Sequence, residues 1–310
     1  MFPDQTRPVP RGYIDLQVNG YGGINFSDPA LSIEQILEVT ERLWQRGTAA
    51  FCPTVITSPL EVYERVLPCL ARAIESAESK GRLLGIHLEG PYISPEDGAR
   101  GAHPRPFTRL PSMDEFERLY DLAGGHLRLL TLAPELPGAL ELIRQAVSRR
   151  VVVGIGHTLA GSEAIRVAVE NGARLSTHLG NGCPNLLQRH HNPLWPQLAN
   201  PDLTAMLITD GHHLPPDLIK TVLLAKGAQR VIVTSDSAPV AGLPPGDYDY
   251  FGGRARLEPG GRLHSLEGDM LAGSSATMGE CMQYLASLGV LTESELEQVG
   301  YDNPLAVVGG

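Results

Sequence analysis

Eight short apolar segments, most of them rich in β-branched residues, recur along the chain and predict β-strands. They span 13–18, 49–55, 83–88, 127–132, 151–157, 174–179, 203–210 and 230–236. The stretches between them have apolar residues at helical spacing. In 32–47, Ser32 can cap a helix that places Ile33, Ile36 and Leu43 on one face. Comparable helices are predicted over 61–77, 112–123, 137–149, 162–171 and 215–226.

The regular alternation of strand and helix predicts the fold class. Strand starts recur about every 31 residues, the size of a strand–helix–strand unit. Eight such units predict an α/β fold, a (β/α)8 TIM barrel. A doubly wound open sheet is the alternative, but no G-x-G-x-x-G follows the first strand. We predict one catalytic barrel domain over residues 1–310, with a small hairpin excursion around 247–270 before the last helices, 275–288 and 293–299.

Polar residues stand at the C-terminal ends of the predicted strands, where such barrels place their chemistry. They are Gln17, Asn19, His87, Glu89, His157, His178, Asp210, His212, His213 and Asp236. A carboxylate and two histidines on separate strands form a typical ligand set for a catalytic divalent ion, which lowers the pKa of a bound water. Asp236 could accept the proton of that water. Each residue alone has a purely structural explanation, but their recurrence on successive strands favours a metal hydrolase.

Composition narrows the classes of partner. With a net charge of −10, the chain is a poor match for nucleic acid or an anionic membrane, and an anionic substrate would need local cations. Four widely spaced cysteines without a C-x-x-C pair fit a reducing cytosol. The polar, Pro-rich N-terminus is unlike a signal peptide, and no apolar segment approaches membrane-spanning length. We therefore expect a cytoplasmic protein.

Several motifs together resemble one enzyme family. They are the segment 12–20, HLEGPY at 87–92, GAH at 101–103, GHT at 156–158, THLGNG at 177–182, DGHH at 210–213, SD at 235–236 and LAGSS at 271–275. GHT or DGHH alone is weak, whereas HLEGP, THL-x-N and LAGS in this order are specific. The chain resembles the N-acetylglucosamine-6-phosphate deacetylase family of the amidohydrolase superfamily, from about residue 11 to Asn303-Pro304.

The resemblance implies roles for particular residues. Glu89, His157 and His178 would bind the metal, Asp236 would be the catalytic base and acid, and His213 would polarise the acetamido carbonyl. The substrate contacts would be His103, Asn181, Gly182, Arg189, His213 and Leu271. Arg189 would meet the phosphate in a neighbouring subunit's site, which implies a homodimer.

The resemblance also bears on the number of metal ions. Gln17 and Asn19 stand where binuclear relatives carry His-x-His, and amide side chains are poor ligands for a second transition metal. We expect one divalent ion per chain, zinc first, with iron, manganese, cobalt or nickel as alternatives.

The chain departs from the family pattern in three places, one of which is the stretch after Asp236, where it is one residue short of the usual spacing. We expect most of the family's small β-sandwich to lack a counterpart in this sequence. Gly180 and then Asn181-Gly182-Cys183 replace an apolar or aromatic residue followed by Asn-Ala-Met. We expect removal of acetate from N-acetyl-D-glucosamine 6-phosphate in amino-sugar metabolism. A deacetylase or amidase acting on another amide, or an inactive sugar-binding barrel, are the alternatives.

Overall fold

Eight parallel strands form one sheet that curves almost into a closed barrel in the computed structural model, which describes residues 12–250, 253–267 and 270–309. They are β1 (Tyr13–Val18), β2 (Thr48–Ile56), β3 (Ile86–Glu89), β4 (Leu127–Leu132), β5 (Val152–Ile155), β6 (Ala173–Ser176), β7 (Thr204–Ile208) and β8 (Val231–Thr234). Neighbours in the sheet are neighbours in the sequence. A doubly wound sheet would reverse this order, so the predicted (β/α)8 barrel is confirmed.

Side chains close the seam between the first and last strands. The buried Asp15 carboxylate accepts hydrogen bonds from Thr234 Oγ1 at 2.6 Å and from the Ser235 amide at 3.1 Å. Burial raises the pKa of Asp15, and these hydrogen bonds oppose that rise. Beyond these contacts, the backbone N–H of Asn19 donates to the backbone carbonyl of Ser237 at 2.8 Å. The seam thus binds the end of β1 to the segment that carries Asp236.

Helices cover the outside of the sheet. They are α1 (Ile33–Trp44), α2 (Leu60–Glu75), α3 (Met113–Leu122), α4 (Ala139–Ser148), α5 (Ser162–Glu170), α6 (Leu194–Ala199), α7 (Pro216–Lys226), α8 (Met278–Ser287), α9 (Glu293–Glu297) and α10 (Asn303–Val308). Ser32 caps α1 as predicted, in a reciprocal capping box with Gln35. Helix α6 was not predicted, because six residues including a proline are too few to show a helical period. The predicted helix 293–299 is interrupted by a π-helical turn, Gln298–Asp302.

Two layers fill the barrel. An apolar layer from six of the eight strands, with Val308 of α10, packs toward their N-terminal ends; it comprises Ile14, Leu16, Cys52, Leu129, Leu175, Met206 and Ile232. Above it, His87 Nε2 lies 2.8 Å from Thr131 Oγ1, which lies 2.8 Å from Thr177 Oγ1. Burial lowers the pKa of His87 to about 4, so this strand-end histidine is a neutral, hydrogen-bonded core residue.

A small antiparallel sheet follows β8 where the hairpin excursion is predicted. It consists of β9 (Gly246–Tyr250), β10 (Gly253–Leu257) and β11 (Leu263–Ser265), and residue 252 of the predicted Gly252-Gly253 turn lies outside the described residues. At the turn after β10, the Gly260 carbonyl lies 3.0 Å from His212 Nε2. The chain then returns past Leu271 along the pocket described below. No helix in the described ranges is long and apolar enough to cross a membrane.

Candidate active site

Three predicted metal ligands converge at the C-terminal end of the barrel. Glu89 is the last residue of β3, and His157 and His178 each lie two residues beyond a strand. Glu89 Oε1 is 3.0 Å from His157 Nε2 and 2.8 Å from His178 Nε2, and the two Nε2 atoms are 3.0 Å apart. All three side chains are buried, and one ligand atom from each lies within 4.8 Å of the others.

The donor set fits a divalent transition metal. Two imidazole nitrogens and a carboxylate oxygen point at one place, and three protein ligands are the usual number in catalytic zinc sites. His157 Nδ1 donates to the Ala99 carbonyl at 2.9 Å, so Nε2 is left as the ligating nitrogen. Burial alone would raise the pKa of Glu89. Contacts with both histidines instead hold that pKa well below its usual range, so the carboxylate is ionised.

The backbone is left-handed at three chemically important positions. His157 (φ 51°), His178 (φ 32°) and Asp236 (φ 51°) all have positive φ, a conformation that is costly for residues with a Cβ. These residues therefore cannot continue their strands. The strands end at Ile155, Ser176 and Thr234, short of the predicted ends at 157, 179 and 236.

Two amides from the end of β1 donate to the two carboxylates of the site. Gln17 Nε2 lies 2.7 Å from Glu89 Oε1, and Asn19 Nδ2 lies 2.7 Å from Asp236 Oδ1. Burial and the charge of Glu89 raise the pKa of Asp236 to about 8, and the hydrogen bond from Asn19 opposes this rise. Because both amides present N–H groups to the carboxylates, their geometry suits hydrogen bonding better than ligation of a second cation.

His213 lies on the loop after β7 and is paired with Asp210. His213 Nδ1 donates to Asp210 Oδ2 at 2.7 Å, and Asp210 Oδ1 accepts from the amides of His212 and His213, each at 2.9 Å. Burial would raise the pKa of Asp210, but the hydrogen bond and charge of His213 outweigh it and lower that pKa to about 2. The sequence places Asp210 at a strand end, where Asp210-Gly211 alone is also typical of a turn, but its pairing with His213 could not be seen.

A pocket of about 480 Å³ opens above these groups. Its lining includes the proposed chemical residues Glu89, His157, His178, His213 and Asp236 and the predicted contacts Asn19, His103, Asn181, Gly182 and Leu271. Ile56, Leu187, Leu194, Ile208 and Met270 supply apolar walls that the sequence did not single out. A Cβ on Gly182 would stand 3.0 Å from His157 Nδ1, and the left-handed φ of 59° also favours glycine beside the histidines.

His103 lines the pocket and also lies beside Glu89 and His157. Its Nδ1 is 2.9 Å from Thr57 Oγ1, its Nε2 is 3.7 Å from Glu89 Oε2, and its ring centroid is 4.3 Å from that of His157. Burial and the nearby His157 lower the pKa of His103 to about 3, so the ring is neutral.

Arg189 is the predicted site residue that this chain does not bring to its own pocket. It is exposed, and its carbonyl accepts a hydrogen bond from Trp195 Nε1 at 2.9 Å. No lysine or arginine is found among the described residues that line the pocket. A cation for an anionic substrate must therefore come from beyond these lining residues.

The fold and the site together define a class of protein. A parallel (β/α)8 barrel that gathers a carboxylate, two histidines and a further aspartate at the ends of its strands is a barrel of the metal-dependent amidohydrolase type.

Comparisons with known proteins give the family. No protein-family model matches the chain. It is 35% identical over 299 residues to the N-acetylglucosamine-6-phosphate deacetylase of Bos taurus, covering 92% of this chain and 71% of that protein. It is 33% identical over 277 residues to the N-acetylgalactosamine-6-phosphate deacetylase of Shewanella sp. (strain ANA-3), covering 89% and 68%.

A solved structure agrees with these relatives. An alanine variant of the N-acetyl-D-glucosamine-6-phosphate deacetylase of Mycobacterium smegmatis, in complex with N-acetyl-D-glucosamine-6-phosphate, matches with a TM-score of 0.88 at 28% identity. The match covers 96% of this chain and 77% of that one. The chain belongs to the N-acetylglucosamine-6-phosphate deacetylase family.

Proposed function

We propose that this protein hydrolyses the acetamido group of N-acetyl-D-glucosamine 6-phosphate, giving acetate and glucosamine 6-phosphate in amino-sugar catabolism. The observation that carries the proposal is the convergence of Glu89, His157 and His178 beside Asp236 in a pocket of the family's barrel. One divalent ion held by these three residues would polarise the carbonyl and lower the pKa of a water molecule. We favour zinc for the two-nitrogen, one-oxygen ligand set, with iron, manganese, cobalt and nickel as alternatives.

The chain's own residues then move the protons. Asp236, held at Oδ1 by Asn19, accepts a proton from the attacking water as the new carbon–oxygen bond forms. It returns that proton to the amine nitrogen as the carbon–nitrogen bond breaks. His213 donates from Nε2 to the carbonyl oxygen, where negative charge develops. The pocket walls at His103, Asn181, Gly182 and Leu271 would orient the sugar and its acetyl group.

We further propose that Arg189 of a neighbouring copy supplies the cation for the 6-phosphate, so that the working unit is a homodimer. Two observations support this. The described lining of the pocket lacks a basic residue, and exposed Arg189 lies near two exposed apolar side chains, Leu186 and Trp195. The four free cysteines suit a cytoplasmic location, which we also propose.

A second candidate substrate is N-acetylgalactosamine 6-phosphate, because a relative of 33% identity bears that name. The departure from the family pattern at Gly180–Cys183 lies in the same pocket.

Acetate release tests the proposal. The purified protein, with its metal content measured by elemental analysis, is offered both N-acetylhexosamine epimers with and without the 6-phosphate. We expect one metal per chain and the fastest turnover on N-acetylglucosamine 6-phosphate. Faster turnover of N-acetylgalactosamine 6-phosphate would identify that sugar as the substrate instead. Bound metal without acetate release from any of the four sugars would contradict the deacetylase function and favour a sugar-binding barrel.

A further inference from the structure

Asp210 is a buried carboxylate beside the pocket that the mechanism above does not use. It lies two residues beyond β7, its side chain is 2% exposed, and it is absent from the pocket lining. Its neighbour His213, with a side chain 5% exposed, does line the pocket. Asp210 can therefore affect a bound sugar only through His213 or through the loop that carries it.

The two carboxylate oxygens of Asp210 have separate partners. Oδ1 accepts the amides of His212 and His213, which shapes the loop. Among the described residues, Oδ2 accepts the imidazole Nδ1–H of His213 alone, which sets the ring. Because an ionised carboxylate has no proton to donate, His213 Nδ1 must carry the hydrogen of this bond. Nε2, on the opposite edge of the ring, is the nitrogen left for a group in the pocket.

We propose that Asp210 is the positioning residue of His213, holding Nδ1 protonated so that His213 meets the substrate only through Nε2. The inference rests on the proposed function, which gives His213 its role. For Nε2 to donate to the carbonyl oxygen, both ring nitrogens must carry protons. The positive charge of that ring is then balanced by Asp210 at 2.7 Å.

The adjacent histidine shows that the arrangement is specific. His212 Nε2 faces the Gly260 carbonyl at 3.0 Å in the small antiparallel sheet, and His212 is exposed. Its backbone amide, not its ring, donates to Asp210 Oδ1 at 2.9 Å. Of these two consecutive histidines, Asp210 orients the ring of His213 alone.

Asp210→Asn separates the two tasks of the carboxylate. The asparagine oxygen can still accept the backbone amides, but its amide nitrogen cannot accept the Nδ1–H of His213. We expect kcat on N-acetylglucosamine 6-phosphate to fall about 10²-fold, within the range for general acid–base groups, with KM changed by less than about threefold. Asp217→Asn, the same change in the first turn of α7, is the matched control and should keep the parent kcat.

Two further measurements distinguish positioning from a structural role. In a His213→Ala background, Asp210→Asn should cause no additional loss of kcat. In 15N-histidine-labelled parent protein, with the His213 signals assigned from His213→Ala, Nδ1 should be protonated and should lose this state in Asp210→Asn. An equal loss of kcat in both backgrounds, or a parent His213 with a bare Nδ1, would overturn the proposal. The NMR result stands even if the parent releases no acetate, so the two proposals can fail separately.

Discussion

The hydrogen bond from Asn19 to Asp236 should influence the pH dependence of turnover by an amount that can be calculated. Asn19 Nδ2 lies 2.7 Å from Asp236 Oδ1, and Asn19 is 4% exposed. Burial and Glu89 raise the pKa of Asp236, whereas the bond from Asn19 stabilises the ionised form and lowers it. Asn19→Ala removes a stabilisation of the anion, so the pKa of Asp236 must rise further.

The size of the effect follows from the type of bond. A hydrogen bond to a charged group contributes about 1.5–3 kcal/mol, and about 1.4 kcal/mol corresponds to one pKa unit. The rising limb of the kcat–pH profile, where Asp236 loses its proton, should therefore move upward by about 1–2 pH units. Turnover should fall about 10–100-fold on the acid side of the limb and much less on its plateau.

The assay is acetate release from pH 5 to about pH 10.5 at equal metal occupancy, a range that covers the limb raised from a pKa of about 8. Asn303→Ala is the matched control, because Asn303 Nδ2 donates to the carbonyls of Ala228 and Val231 at the opposite end of the barrel. That variant should lose stability without moving the limb. If the limb of Asn19→Ala coincides with that of the parent, Asn19 does not stabilise the base and the pairing has no catalytic role.

Three more outcomes are expected. His157→Ala and His178→Ala should each lose the metal and the turnover. In the parent, the metal at 100 times its Kd should raise the free energy of unfolding by about 2.7 kcal/mol. Anomalous scattering from two ions per chain would contradict the single-metal site. Asp236→Asn should keep the metal and the fold but lose about 10²–10⁴-fold in kcat, and near-parent turnover would remove Asp236 from the mechanism. Arg189→Ala should weaken use of the 6-phosphate about 10–200-fold and spare the unphosphorylated sugar, whereas an equal fall on both would rule out a phosphate contact.

The periodicity of the sequence was sufficient for the barrel but not for the ends of its strands. Each predicted strand corresponds to an observed one, because buried parallel strands leave continuous apolar segments. The predicted strands were too long where they ran to His157 and Asp236, because the sequence does not show that a residue adopts a left-handed backbone conformation. Helix α6 was missed for lack of length.

Residue chemistry indicated that ligand-type side chains gather at the strand ends, but not which residues support them. Glu89 and His178 could be paired from the sequence because the barrel brings strand ends together, whatever their separation along the chain. His103 came only from the family resemblance, since it lies on a long loop whose path no period reveals. The pairing of Asp210 with His213 depends on side-chain orientation within one turn, which motif spacing does not encode.

The barrel seam has a consequence for the order in which the protein acquires its properties. The cluster joins Glu89 to histidines 68 and 89 positions away, whereas the bond from Asn19 to Asp236 spans 217 positions and crosses the seam. Contacts between distant parts of a chain cost more loop-closure entropy, which slows their formation in folding. A refolding molecule would gain its affinity for metal before its catalytic base is oriented. Metal uptake would then report that the middle of the chain has folded, and turnover would report that the seam between β1 and β8 has closed.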